Sequence, residues 1–156
     1  MGSYADCVLL DVGQDIHSQS QQYWQAADDV LLVTAPDAVS VMDAYAAIKT
    51  SLPQIVDPRI HVLVNHVEDE QQALDVHRRI DQSCQRFLGQ GVRFAGSVPA
   101  DATVPLALQQ RTPLVKDHSN SPAAHAIEAI AGSIFDPVGR GENIYAMKIR
   151  SPQSPL

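Results

Sequence analysis

The sequence predicts an α/β fold in which a parallel sheet of about four strands is flanked by helices. Short apolar segments rich in Val and Ile, at 6–11, 30–35, 60–65 and 92–98, alternate with longer segments in which apolar residues recur at helical spacing. The short segments are apolar on both faces, which is typical of strands covered from two sides. Strands and helices that alternate in this way form a parallel sheet joined by right-handed crossovers.

The composition is that of an ordinary globular domain. The chain has 156 residues, of which 19% are charged and 45% apolar, so wholesale disorder is excluded. The formal net charge is -7, and the basic residues are scattered, which argues against a nucleic-acid surface. Cys7 and Cys84 lie on apolar positions without a CxxC pattern, so we expect buried thiols in the reducing cytoplasm. No signal peptide is recognised, and no apolar run approaches the ~20 residues that span a bilayer.

Helices are predicted between the strands. Apolar residues at helical spacing predict a helix over 16–27, and Ser40 with Asp43 has the pattern of a capping box at the start of the next helix. A third helix, with one charged face, is expected to end at Gly89 or Gly91, because glycine suits the left-handed residue that terminates helices.

Capping residues also mark the later helices. Asp101 is expected to cap a short helix that ends near Gln110, and Ser121 followed by Pro122 is typical of a helix start. All of the alternating elements fall within residues 1–135, which we predict to form a single α/β domain.

Residues 136–156 form a separate tail in this prediction. They are rich in Gly, Pro and Ser and are expected to pack loosely against the domain. Within the tail, residues 143–149 alternate between apolar and polar side chains, as a strand does.

Polar residues and turn formers follow the predicted strands. The carboxyl ends of parallel strands meet at one edge, where open α/β sheets bind ligands, so this edge collects Asp11, Gly13, Asn65, Pro99 and Asp101. A carboxylate and a glycine suit a metal ion and a phosphate, whereas an asparagine amide suits the polar edge of a base. Each residue also has a structural alternative, because Asp and Asn are common at turns and helix caps.

Several motifs resemble, in family order, those of the MinD/ParA ATPases. They are Asp11-Val12-Gly13, the Ala-Ala-Asp-Asp-Val-Leu-Leu-Val-Thr-Ala-Pro run at 26–36, Ser40 with Asp-Ala-Tyr-Ala-Ala-Ile-Lys at 43–49, Val-Leu-Val-Asn at 62–65, Gly-Ser-Val-Pro-Ala-Asp at 96–101, Arg-Thr-Pro at 111–113 and Ser-Pro-Ala-Ala at 121–124. The resemblance covers residues 4–135. Residues 43–49 are most similar to the FlhG (FleN) branch, which controls flagellar number and placement.

The resemblance implies a P-loop NTPase-like three-layer sandwich with ATP and Mg as cofactor. It implies that Asp11 binds the metal through water and that Gly13 lies near the phosphates. Asn65 is then the adenine contact, with Pro99 and Asp101 in the loop that closes over the base. It further implies an ATP-driven homodimer, an SRP-type GTPase or a polar or membrane partner, and a cytoplasmic protein with peripheral membrane association.

The sequence departs from the family pattern in two respects. The family's glycine-rich phosphate loop precedes the segment equivalent to Asp11 and is not found in this sequence, so we expect no ATP hydrolysis by this chain alone. Asp15 stands where the family has a glycine, and two like charges ~4 Å apart repel by ~4 kcal/mol at an effective dielectric of ~20. Without the phosphate-loop strand, we expect the Asp11 strand to pair directly with the 30–35 strand, a domain-swapped dimer being the alternative.

Three functions follow from these patterns. The first is a MinD/FlhG-like ATP-binding protein of cell positioning that does not hydrolyse ATP alone. The second is a non-catalytic interaction module on the same scaffold. The third, a flavin-like or receiver-like domain, is disfavoured because Lys116 lies outside every predicted strand. His66 lies at the ligand edge but is interpreted as a loop histidine, and neither HExxH nor GxSxG is found.

Overall fold

The computed structural model describes residues 8–13, 18–54, 59–135 and 144–148. In chain order the elements are α1 (Ser18–Ala26), β1 (Asp29–Thr34), α2 (Ala38–Ser51), a 3-10 turn (Leu52–Gln54), β2 (Ile60–Val67), α3 (Glu70–Leu88), β3 (Arg93–Pro99), α4 (Thr103–Gln110), α5 (Leu114–Asp117), α6 (Pro122–Phe135) and β4 (Ile144–Lys148). The strands form one parallel sheet in the order β3-β2-β1-β4. The predicted α/β class is confirmed.

The first face of the sheet packs against α2 and α3. Leu32 of β1 and Val62 of β2 are paired in register and fully buried, and they contact Ile48 and Ile80 in one apolar cluster. Burying side chains of this size contributes about 1.5–3 kcal/mol each, so this cluster is the main source of the domain's stability.

The second face of the sheet packs against α6. Leu63 and Val98 form an apolar cluster with Ala123 and Ile130 of α6. Side chains alternate between the faces of a strand, so this cluster lies on the side opposite α2 and α3. Helices on both faces give the three-layer arrangement that the sequence predicts.

The fourth strand is not the one expected from the sequence. Residues 8–13 form no strand, and the prediction that the Asp11 segment pairs with β1 is wrong for the residues that are described there. The position beside β1 is occupied by β4, which pairs in parallel from Asp29↔Ile144 to Val33↔Lys148. A strand edge presents unpaired N–H and C=O groups to any extended segment, and periodicity does not determine which segment pairs there. Part of the predicted tail therefore belongs to the sheet.

The helix caps confirm some predictions and correct one. The side chain of Ser121 accepts a hydrogen bond from the N–H of Ala124 (3.1 Å) at the start of α6, as predicted. The cap of α2, however, is Asp37 rather than Ser40: Asp37 accepts hydrogen bonds from the N–H (2.9 Å) and the hydroxyl (2.5 Å) of Ser40. These hydrogen bonds lower the pKa of Asp37. Gly89 ends α3 with φ of 73°, in the left-handed conformation that glycine favours.

Candidate functional site

The carboxyl ends of β2 and β3 bring two of the predicted site residues together. Asn65 pairs in register with Val98, and the next residue of β3 is Pro99, which pairs with Val67. The N–H of Ala100 donates a hydrogen bond to the carbonyl of Val67 (2.9 Å), which extends the pairing beyond the strand. Asn65 and Pro99 therefore lie on adjacent strands at the edge where parallel sheets bind ligands.

A bulge interrupts β2 directly after Asn65. The register shifts between Asn65 and Val67, and His66 has a positive φ of 61°. A non-glycine residue in the left-handed region costs about 1–2 kcal/mol. Bulges of this kind change the direction of the neighbouring side chains and occur often beside binding sites. The sequence gives only a weak signal for this conformation: Asn65, a residue type common at turns, directly precedes His66.

The side chain of Asn65 is one polar group at this edge. It is half-buried, and it makes no hydrogen bond to another described residue. An asparagine amide provides two donor hydrogens and one acceptor oxygen in a plane. The arrangement can therefore recognise a planar polar partner, such as the edge of a nucleobase.

The carboxylate of Asp101, in contrast, already accepts hydrogen bonds from other parts of the protein. One oxygen accepts a hydrogen bond from the N–H of Thr103 (2.8 Å) in α4, and the other accepts one from the N–H of Ala123 (3.1 Å) in α6. These hydrogen bonds, that of the Thr103 N–H above all, lower the pKa of Asp101 from 3.8 to about 2. Asp101 holds two helix amino termini together and thereby positions the loop that begins at Pro99.

Asp11 and Gly13 form a separate part of the predicted site. Asp11 is exposed, and Gly13 has φ of 73° with open space where a Cβ would lie. Mg²⁺ is commonly held by one or two carboxylates together with waters and phosphates, so a single exposed carboxylate fits that ion only when a nucleotide is bound. In the described ranges, no group of three or more His, Cys, Asp or Glu side chains could hold a metal ion by itself. Asp15 lies outside the described residues.

Two cavities lie along α3, one beside the loop that follows β1 and the other between α2 and α3. One of ≈ 380 Å³ is lined by Pro36 and by the first half of α3, up to Arg79. The other, of ≈ 350 Å³, we name the α2–α3 groove, and it is lined by Val41, Met42, Tyr45, Ala46, Lys49, Arg79, Ile80 and Ser83. The sequence analysis missed this groove. The sequence contains one indication of it: Met42 is apolar but does not lie on the buried face of α2, and its side chain is 70% exposed.

Comparisons with known proteins agree with the predicted resemblance. The chain is 27% identical over 129 residues to the "Antiactivator FleN" of Pseudomonas aeruginosa, an alignment that covers 83% of this chain and 46% of that protein. It is 23% identical over 140 residues to the "Flagellum site-determining protein YlxH" of Helicobacter pylori, covering 89% and 47%. No protein-family model matches the chain.

The fold also matches a solved structure. The chain superposes with a TM-score of 0.55 and 21% identity on a chain of the MinC:MinD cell division protein complex of Aquifex aeolicus, covering 80% of this chain and 51% of that one. The chain thus spans about half the length of the proteins it matches. Among the described helices, none has the length and apolar character needed to cross a bilayer. The resemblance to MinD-like proteins, and to the FlhG branch in particular, is confirmed.

Proposed function

Because the chain is similar to MinD-like proteins of the FlhG branch, we propose that it helps to control the number or placement of flagella. We also propose that it binds ATP at the carboxyl edge of its sheet. The observation that carries the proposal is the pairing of Asn65 with Val98, beside the His66 bulge and next to Pro99. This arrangement leaves one amide group available at a ligand-binding edge.

Adenine is the base that this amide suits. Its amino group and adjacent ring nitrogen present one donor and one acceptor side by side, and an asparagine amide pairs with both at once. Guanine presents two acceptors in the corresponding place, so a single amide pairs with it less well. Pro99 provides a rigid apolar surface against which a flat base packs.

We further propose that these residues bind the nucleotide weakly and do not hydrolyse it on their own. Phosphoryl transfer depends on cations and amide groups placed around the phosphates. Of the predicted site residues, Asp11 and Gly13 alone are assigned to that end of the nucleotide. A dissociation constant near the millimolar range, about -4 kcal/mol, is expected from base contacts with few phosphate contacts.

Nucleotide titration of the chain, followed by NMR chemical shifts, tests this proposal. Adenosine and Mg-ATP are expected to shift the amides near Asn65 and Pro99, whereas guanosine shifts them less. Asn65→Ala is expected to remove the adenosine response, and Asn120→Ala, a matched change in the turn before α6, is expected to leave it intact. Micromolar binding with ATP turnover by residues 1–156, or an unchanged response in Asn65→Ala, would contradict the proposal.

A second function, a non-catalytic interaction module, is favoured by the α2–α3 groove. Met42 is 70% exposed there, and Val39, one turn before it, is 53% exposed. Lys49 and Arg79 line the same groove, so it suits an apolar helix or peptide that also carries acidic side chains. Following the family resemblance, we propose that an SRP-type GTPase binds in this groove. From the same resemblance we also propose an ATP-dependent homodimer and a polar or membrane partner.

Binding of an SRP-type GTPase from the same genome tests the second function. Met42→Asp is expected to weaken the complex at least about tenfold, because it places a charge in an apolar contact. Leu108→Asp is the matched control, since Leu108 is 72% exposed on α4, outside the groove. Equal binding by both variants and the unmodified chain would exclude the groove as the docking surface.

A further inference from the structure

The bulge in β2 changes the side of the sheet on which the last residues of this strand lie. Val62 and Val64 belong to the apolar cluster on the first face, and Val67 belongs to the same cluster. Side chains alternate along a regular strand, which would place residue 66 rather than residue 67 in that cluster. The extra residue of the bulge returns Val67 to the core and leaves two consecutive polar residues, Asn65 and His66, outside the cluster at the carboxyl edge.

The burial of Val67 explains the bulge, but it does not explain why the bulged residue is a histidine. His66 has φ of 61°, a conformation that glycine adopts without steric cost and that asparagine tolerates better than most residues. The side chain of His66 is exposed, and it makes no hydrogen bond, ion pair or ring contact with a described residue. No polar or ring contact in this part of the chain therefore accounts for an imidazole at this position.

The conformation of His66 differs in its setting from that of Arg111. Among the described residues, Arg111 is the other non-glycine residue with a positive φ, of 55°. It ends α4, where its N–H donates a hydrogen bond to a carbonyl of the last turn (3.1 Å), and a left-handed residue is common at such a helix end. His66 instead ends a strand, between Asn65 and the pairing of Val67 with Pro99. Strained backbone in such places is often found at ligand-binding sites.

We propose that the imidazole ring of His66 stacks on the base whose edge is bound by Asn65, an inference that rests on the proposed function. An aromatic ring stacks on any base, because every base has a flat π face, whereas an amide selects among bases through their polar edges. The two adjacent residues then have separate roles: His66 contributes affinity for a base in general, and Asn65 contributes the preference for adenine. The base lies between His66 of β2 and Pro99 of β3.

Variants of residue 66 test this role in the full chain. His66→Gly removes the ring and the backbone strain together, so it is expected to weaken adenosine binding about fivefold and to raise the urea midpoint or leave it unchanged. His66→Asn keeps a polar side chain that suits the left-handed conformation, and it is expected to weaken adenosine binding to the same extent. Arg111→Gly is the matched control, because it relieves the same backbone conformation at the end of α4 and is expected to leave adenosine binding intact.

Two further measurements distinguish stacking from other roles of the ring. AMP and GMP carry the same phosphate, so His66→Gly is expected to weaken both by the same factor, whereas Asn65→Ala is expected to bring their affinities closer together. In the unmodified chain, the ring protons of His66 are expected to shift upfield when adenosine binds, because they then lie over the base. A residue that only supports the fold would not show this shift.

The outcomes separate this inference from the proposed function. If adenosine does not bind the unmodified chain, or binds Asn65→Ala equally well, the proposed function fails, and the inference fails with it. If adenosine binding depends on Asn65 but is unchanged in His66→Gly, or if His66→Gly weakens Mg-ATP alone, the stacking role is wrong and the base site stands. A lower urea midpoint in His66→Gly would also overturn the inference, because the ring would then support the fold. Equal weakening of AMP and GMP, together with the upfield shift, supports it.

Discussion

Polar residues at the two ends of the sheet differ in whether they have hydrogen-bond partners within the described part of the protein. At the amino end, the buried carboxylate of Asp29 accepts a hydrogen bond from Nε2 of His61 (2.7 Å) and pairs with the guanidinium of Arg59 (3.1 Å). Arg59 also donates to the carbonyl of Asp28 (3.0 Å), so these charges are matched within the protein. At the carboxyl end, Asn65 makes no such contact with a described residue.

This difference indicates which polar residues serve the fold and which remain for a ligand. Buried polar groups are almost always paired inside the protein, as Asp29 is. Asp101 behaves like Asp29, although it lies at the ligand-binding edge, because its carboxylate joins α4 to α6. At the carboxyl end, a residue's position at the edge is therefore a weaker guide to binding than the absence of an internal partner.

The largest effect is expected at the amino end. Asp29→Ala leaves His61 and Arg59 without their shared carboxylate and is expected to lower the free energy of unfolding by about 3 kcal/mol, as measured by urea denaturation. The control is Asp75→Ala, which breaks an exposed pair with Arg78 (2.9 Å) and is expected to cost no more than about 0.5 kcal/mol. Equal effects of the two substitutions would remove the distinction between a buried and a surface ion pair.

The second prediction concerns the irregular strand that leads to the carboxyl end. Gly96 in β3 has φ of 137°, and a Cβ added there would lie 2.7 Å from Cγ1 of Ile130. Gly96→Ala is expected to cost about 2 kcal/mol through backbone strain and overpacking. Gly132→Ala, in α6 with open space around it, is expected to stabilise by up to about 1 kcal/mol. A neutral Gly96→Ala would mean that α6 does not pack closely on β3.

The sequence predicts the regular parts of this fold better than its edges. β1, β2 and β3 were predicted because each is a short segment rich in apolar residues that alternates with helical patterns, and α3 because its apolar residues recur on one face. The amino-terminal cap of α2 was predicted at Ser40 but lies at Asp37. Both residue types are good caps, and the sequence does not show how soon after β1 the helix begins.

Contacts between distant residues could not be predicted in the same way. Asp29 and His61 are 32 residues apart, and their contact depends on the register of two strands, which periodicity does not specify. The positive φ of His66 accompanies the bulge, and its local signal, the preceding Asn65, is equally typical of a turn or a helix cap. The place of β4 depends on competition for one sheet edge, so the sequence predicted that residues 143–149 alternate like a strand but not where that strand would pair.

The third prediction follows from the lowered pKa of Asp101. A carboxylate whose pKa falls from 3.8 to about 2 on folding stabilises the protein above its unfolded pKa, and this contribution is lost as the pH falls from about 4 to about 2. Asp101→Asn is therefore expected to be less stable than the unmodified chain at about pH 6 and to approach its stability at about pH 2.5. Urea midpoints at the two pH values measure the difference, and a constant difference would contradict this origin of the effect.

The smallest effect on stability is expected at Asn65. Asn65→Ala removes no described hydrogen bond and is expected to change the free energy of unfolding by less than about 0.5 kcal/mol, by the same urea measurement. A loss of more than about 1 kcal/mol would show that Asn65, like Asp29 and Asp101, supports the fold, and the contrast between the two ends would fail.

The most direct measurement of the central claim is a map of adenosine-induced amide shifts over the whole chain. We expect the largest shifts at residues 65–68 and 99–103, and none at the amino end around Asp29 and Arg59. Shifts that centre on the α2–α3 groove, or that are equal at the two ends of the sheet, would contradict the claim that the amide of Asn65, which has no partner among the described residues, marks the ligand-binding edge.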